Sequence, residues 1–241
     1  MAHEKTAHEK TGVEMLVEFS AGAGHELNNP LAAISGRVQL LLRGESDAAK
    51  RSELALILNH VRRAQDMIAD LRLVACPPLP RKSVFSVREF VQNLADSCRC
   101  EWAGRKIELA VRIATNGVDA HDFDIYADST QLEILLRALF KNSLRAIGAE
   151  GSILLCAERD DARQEIVFRV SDTGGGIPSE IRELLFDPYF SSYQSGRGLG
   201  FGLTKARAIA HLHGGEIELD EAAEETTFVL TLPIATEAAS S

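Results

Sequence analysis

The sequence predicts an α+β chain in two parts: an antiparallel helical hairpin, then a domain of helices layered on an antiparallel or mixed sheet. Two apolar series at helical spacing lie before residue 76, a proline cluster follows at Pro77, Pro78 and Pro80, and beyond it strand-like alternation interleaves with helical runs up to about residue 233.

The 241 residues are 45% hydrophobic and 25% charged, enough for one large domain or two small ones. Lys plus Arg is 26 and Asp plus Glu is 35, a net charge of −9 that argues against general nucleic-acid binding. No apolar run approaches the ~20 residues of a spanning helix, and the first fifteen residues lack the apolar core of a secretory signal. The expectation is a cytoplasmic chain with no membrane segment. Cys76, Cys98, Cys100 and Cys156 fit neither a zinc spacing nor a disulfide framework and read as reduced thiols. The doubled "AHEKT" at 2–11 belongs to a disordered leader, 1–12, and residues 236–241 to a disordered tail.

The hairpin is expected over 13–76. Leu27, Leu31, Ile34, Val38 and Leu41 step by 4, 3, 4, 3, and Leu54, Ile57, Val61, Ala64, Ile68, Leu71 and Ala75 continue the same rhythm after the polar connection "RGESDAAKR". One hairpin cannot bury both seams and the flanking Leu42 and Leu58, so a homodimer paired into a four-helix bundle is expected. The competing arrangement packs the hairpin on its own C-terminal domain. The prolines then mark a linker, 77–84, and a domain over 85–235. In that domain "REFVQNLADSCRCEWA" reads as a helix and "KIELAVRI" as a strand. "STQLEILLRALFKNSLRAIG" reads as a long helix with Ser129 as its N-cap. "SILLCAE" and "EIVFRVSD" pair across "RDDARQ", "GFGLTKARAIAHLHGG" is a helix closed by glycine, and "EIELD" and "TTFVLTLP" are a last strand pair.

Three stretches of this domain carry chemistry. "SDTGGGIP" places Asp172 at the end of a strand before a glycine loop, where a carboxylate accepts from an exocyclic amine; the same residues also suit a plain turn. "GRGLGFGL" runs Gly196, Gly198, Gly200 and Gly202 into a helix whose free N–H groups attract phosphate. It matches neither a Walker loop nor a dinucleotide fingerprint. Asn142 is a polar residue inside an apolar helix, either a core asparagine or an oxygen ligand for Mg²⁺, and Arg145 follows one turn on to meet phosphate.

In their order and spacing these motifs resemble those of the sensor histidine kinases, over about residues 15–235. "HELNNPL" is similar to the H box in its nitrogen-regulation-like form, "FKNSLRAI" to the N box and "DTGGGIP" to the first glycine box. "LFDPYFSSY" is similar to the F box and "GRGLGFGL…HGGEIEL" to the second glycine box. The resemblance implies a dimerisation and phosphotransfer hairpin followed by the α/β sandwich ATP-binding domain shared with gyrase, heat-shock chaperone and MutL ATPases. It implies ATP and Mg²⁺ as cofactors, with Asn142 on the metal and Asp172 on the adenine amino group. Gly174, Gly176 and Ile177 would shape the base pocket, and Gly198, Gly200, Gly202 and Leu203 the phosphate end, under a lid from about Phe186 to Gly196. Ala138 stands where many relatives carry a further asparagine, Tyr193 where this branch often has lysine, and Phe201 where leucine is common.

His25 is the expected phosphoacceptor. Leu27 lies two positions on, about 200° around the helix, so the imidazole faces outward while the leucines pack. A neutral outward imidazole attacks the γ-phosphorus of Mg-ATP, with Glu26 beside it to accept or orient the ring proton. His3, His8, His60, His121, His211 and His213 lack this context. Pro30 cannot donate to the carbonyl of Glu26, so a bend is expected just past the pair. Asn29 shares the face of His25, and the resemblance implies a role in hydrolysing an acceptor's aspartyl phosphate. The function so implied is an ATP-dependent protein-histidine kinase that passes phosphate to a response-regulator receiver domain, with phosphatase activity a further implication. The alternatives are a protein-serine kinase on the same ATP fold and a non-catalytic dimeric scaffold.

Overall fold

The computed structural model describes residues 26–116, 118–119, 123–187, 190 and 200–234. His25, Tyr193, Gly196, Gly198, the expected leader and the expected tail lie outside them. One compact unit ends at Pro78 and a second begins at Leu79.

In the first unit, helix α1 (26–44) continues without a break through Pro30, and α2 (Ala48–Ala75) follows after residues 45–47. Local chemistry sets the connection. The Asp47 carboxylate accepts from the N–H groups of Ala49 and Lys50 at 2.8 and 3.3 Å, a cap of about 0.5–2 kcal/mol. Arg51 donates to the carbonyls of Leu42 and Glu45, both at 3.0 Å, closing α1 onto the start of α2. Val38, Leu58 and Val61 are buried, whereas Leu27, Ile34, Leu41 and Ile57 are 52%, 44%, 60% and 42% exposed. With Val38 and Val61 as heptad a, the buried Leu58 is an e residue and the exposed set is the d row. Within one hairpin Leu58, read as a flanking residue, turns inward, and Ile57 of the expected seam is left outward with the d row. Each helix of one hairpin faces a single neighbour, so only the a and e rows are covered.

The second unit begins with a short strand that the sequence reading missed. Strand β1 (Ser83–Ser86) starts inside the segment expected as linker, because it pairs antiparallel with β4 (Asp124–Ala127). Helix α3 (Val87–Glu101) follows, capped by the Ser86 hydroxyl accepting from Glu89 N–H at 3.0 Å. The main sheet holds β2 (Lys106–Thr115), β3 (Val118–Asp119), β5 (Glu150–Asp160), β6 (Glu165–Asp172), β7 (Glu216–Leu219) and β8 (Thr226–Pro233), in the order β3-β2-β5-β6-β8-β7. β2 and β5 are parallel and every other neighbouring pair is antiparallel. The sheet is therefore mixed. Helices α4 (Ser129–Ile147) and α5 (Phe201–Leu212) pack together and against it. Phe140, Leu132, Leu135, Leu136 and Leu139 on α4 and Phe168 and Phe228 on the sheet are fully buried, each side chain contributing about 1.5–3 kcal/mol.

Asp128, not Ser129, caps α4. Its carboxylate accepts from Gln131 N–H at 3.1 Å and from Arg81 N–H at 2.7 Å, which fastens the chain entering this unit to the start of α4. Its own N–H donates to His213 Nε2 at 3.1 Å, while His213 Nδ1 lies 3.0 Å from the Ile209 carbonyl. A carbonyl only accepts, so Nδ1 carries the proton and the buried imidazole is neutral. The aspartate was overlooked because serine at the next position is an equally good capping type.

Candidate functional site

Strand β6 ends in Asp172, 1% exposed, and α4 brings Ser143, 0% exposed, against it. The Ser143 hydroxyl donates to Asp172 Oδ2 at 2.7 Å, and Gly174 N–H donates to Oδ1 at 3.0 Å. Burial pushes the Asp172 carboxyl above its ordinary range, and these two bonds pull it back only in part. Each oxygen keeps lone-pair capacity for a ligand donor. Ser143 was not singled out in the sequence, although it stands next to Asn142; only the fold shows which helix face meets the strand end.

The glycines divide by the reason each is needed. A Cβ at Gly174 would stand 2.6 Å from Ala146 Cβ and 2.7 Å from Asp172 Oδ1, so the loop closes on α4 only without a side chain. Gly200 caps α5 in the left-handed conformation, φ +75°, and a Cβ there would collide with the Phe190 backbone. Gly202 meets nothing within 4 Å and is exposed at the start of the helix. That position has no internal need for glycine, which suits close approach of a ligand. No acidic residue occupies the first turn of α5 and no side chain caps it among the described residues, so its N–H groups are suited to an anion. Leu203 is buried in the core.

Around Asp172 the fold gathers several of the expected residues. Asn142 is half-buried on α4 and Arg145 lies exposed on the same helix; Gly176, with φ +78°, and Ile177 follow Asp172 in its loop. Arg182 Nε donates to the Ile177 carbonyl at 3.2 Å and steadies that loop. Farther along the loop, a cavity of about 90 Å³ is lined by Gly176, Ile177, Arg182, Asp220, Glu225 and Thr226, without Asp172 among its walls. Thr226 lies opposite Asp172 on β8, and its buried hydroxyl has no hydrogen-bond partner among the described residues. The arrangement offers a buried carboxylate acceptor at Asp172, and a cationic side chain and a helix N-terminus as elements suited to phosphate. In the first unit Glu26 and Asn29 are both exposed on α1.

The described cysteines are free thiols, and burial pushes Cys98 up to about 11, leaving it protonated and unreactive. No group of three or more His, Cys, Asp or Glu among the described residues could hold a metal, and no described helix is long and apolar enough to cross a membrane.

Residues 15–77 match the family described as the His Kinase A (phospho-acceptor) domain, and residues 127–236 the histidine kinase-, DNA gyrase B-, and HSP90-like ATPase. The chain is 30% identical to the signal transduction histidine-protein kinase AtoS of Escherichia coli, over 91% of this chain and 35% of that protein. It is 31% identical to sporulation kinase B of Bacillus subtilis (90% and 49%), and 28% identical to the sensory histidine kinase/phosphatase NtrB of Klebsiella oxytoca (88% and 61%). The chain thus spans between about a third and three fifths of these relatives' length. Full-length ShkA in complex with AMPPNP shares the fold at TM-score 0.77 and 23% identity, covering 92% of this chain and 47% of that one. Histidine kinase ThkA in complex with the response regulator protein TrrA does so at TM-score 0.66 and 21% identity (97% and 66%).

Proposed function

The chain belongs to the histidine kinases, and on that premise we propose that it is an ATP-dependent protein-histidine kinase that phosphorylates itself on His25 and passes the phosphoryl group to an aspartate of a response-regulator receiver domain. The observation that carries the reading is the Asp172 site: a buried carboxylate with lone-pair capacity left, at the mouth of a glycine loop, in a chain that also has a phospho-acceptor hairpin.

In the proposed reaction a ring nitrogen of His25 attacks the γ-phosphorus. An N–P bond forms, the bond from phosphorus to the bridging oxygen breaks, and ADP leaves with that electron pair. Glu26, exposed beside His25, accepts or orients the ring proton. Asp172 receives the base amine, and Arg145 with the first turn of α5 faces the phosphates. Mg²⁺ takes few protein ligands beside nucleotide phosphates, so the half-buried amide oxygen of Asn142 fits it without a carboxylate cluster. When bound, the ion neutralises charge developing on the phosphates. The exposed d row of the hairpin supports a homodimer as the working form. The NtrB relative is a kinase and phosphatase, and Asn29, exposed on α1, is the residue proposed for the phosphatase step.

Incubation with γ-labelled ATP and Mg²⁺ tests the reading. Acid-labile label, absent in His25→Ala and kept in His60→Ala, is the expected result. Acid-stable label would point to a serine kinase, and wild-type protein that binds no nucleotide to a scaffold. A partner regulator losing its phosphate as fast with Asn29→Ala as with wild type would overturn the Asn29 assignment.

A further inference from the structure

We infer, on the reading of Asp172 as the base acceptor, that Ser143 determines nucleotide specificity: its hydroxyl holds the Asp172 carboxylate fixed and acceptor-only, favouring a base with an exocyclic amine over one with a carbonyl at that edge. The bond is short, 2.7 Å, and both residues are at most 1% exposed, so no water competes for it. A serine in a helix interior commonly bonds back to the carbonyl four residues earlier; Ser143 instead reaches across to the strand.

The chemistry turns on one proton. An ionised carboxylate accepts and cannot donate, whereas a protonated carboxyl offers an O–H that a guanine-type carbonyl would accept. Burial favours the protonated form, and the donors opposing it are Ser143 O–H and Gly174 N–H. Gly174 fixes one oxygen through the backbone and cannot be tuned by substitution. Ser143 fixes the other through a side chain, and is the adjustable half of the pair. The residues paired with Asp172 across the sheet are Ile153 on β5 and Thr226 on β8, neither of which titrates. The charged residues flanking the site on the elements packed there, Lys141 and Arg145 on α4, Glu150 at the start of β5 and Glu225 before β8, are exposed. The displacement of Asp172 comes first from burial, opposed by the Ser143 and Gly174 bonds, and of these three only the Ser143 bond is removed by substitution at position 143.

The experiment measures equilibrium binding of ATP and of GTP to the full chain from pH 5 to 8, for wild type, Ser143→Ala and Ser143→Cys, with melting temperature recorded for each. Loss of a hydrogen bond to a charged group predicts ATP binding weakened about tenfold in Ser143→Ala, with GTP weakened much less, so discrimination narrows. The loss of ATP affinity on acidification should also set in at higher pH than in wild type. Cysteine, a weak donor, should fall between. A folded Ser143→Ala that weakens ATP and GTP equally, with an unmoved pH profile, would show that the bond merely ties α4 to β6 and would overturn the inference. Wild type that binds neither nucleotide would instead remove the reading of Asp172 on which it stands.

Discussion

Leu27, Ile34, Leu41 and Ile57 on the two hairpin helices are 42–60% exposed, whereas Leu132, Leu135, Leu136 and Leu139 on α4 are all at 0%. The first set is the d row of a heptad, seven residues apart along α1, and the second recurs at three- and four-residue spacing; both lie on one face of a helix. The α4 series packs on a sheet supplied by its own chain, whose Phe168 and Phe228 are equally buried. The hairpin has only one helix to offer the other, which covers the a and e rows and leaves d. Periodicity therefore says which face of a helix is apolar; it does not say whose atoms cover that face. The second unit covers its apolar helix face with its own sheet, and the first leaves an apolar row exposed, which the proposed second copy would cover.

The largest effect should fall on the closed side. Leu136→Ala is expected to cost about 2–5 kcal/mol in chemical denaturation of the second unit, with a midpoint independent of protein concentration. The d row should respond differently: Ile34→Asp with Leu41→Asp is expected to convert the dimer to monomer in sedimentation while ATP binding persists. A charged d row that still sediments as a dimer would break the contrast, because the exposed leucines would then not be the interface.

Glycines sharpen the same contrast within the second unit. Gly174→Ala meets Ala146 and Asp172 below contact distance and should cost about 1–3 kcal/mol. Gly202→Ala has open space and a helical position, so its stability should change by no more than about 1 kcal/mol, in the stabilising direction. If Gly202→Ala nevertheless weakens ATP binding, its glycine serves the ligand; unchanged binding would count against a phosphate contact there.

The smallest effect is on pH. Burial holds His213 below its ordinary value, aided by Lys82 and opposed by the Ile209 carbonyl and Asp128. The folded state therefore binds fewer protons than the unfolded one as pH falls through about 6.5, and stability drops there with a slope of at most ~1.4 kcal/mol per pH unit for one proton. Asp172 has the opposite sign: its raised folded value means that stability falls as pH rises from the ordinary carboxylate range toward the folded one. Asp172→Asn should accordingly stabilise the second unit at neutral pH while weakening ATP binding. Thermal melts from pH 5 to 8 on wild type, His213→Gln and Asp172→Asn separate the two contributions; a melting temperature of Asp172→Asn that stays flat below pH 6.5 would contradict the His213 assignment.

Much of this was legible in the residues because it is local. Helical spacing placed α2, α3, α4 and α5, strict alternation placed β2, and the polar turn between "SILLCAE" and "EIVFRVSD" announced the β5–β6 hairpin. The motif residues Asn142, Asp172, Gly174 and Gly176 stand out because polar and glycine residues interrupt apolar runs. Strands β1 and β4, four residues each, are too short to show a period, and each forms only by finding the other about forty residues away. The parallel pairing of β2 with β5 has no local signal for the same reason.

By itself, the sequence determined which stretches are helix or strand, which faces are apolar and which residue types could meet a nucleotide, since those depend on φ/ψ preference and on spacing along one chain. Tertiary structure decided what meets what: Leu58 covered within the hairpin while Ile57 is left outward, Asp128 rather than Ser129 on the end of α4, and Ser143, the neighbour of Asn142, against Asp172. Neighbouring residues on a helix differ by about 100° in direction, so a single step in sequence changes the partner, and only the packed neighbour fixes which step is used.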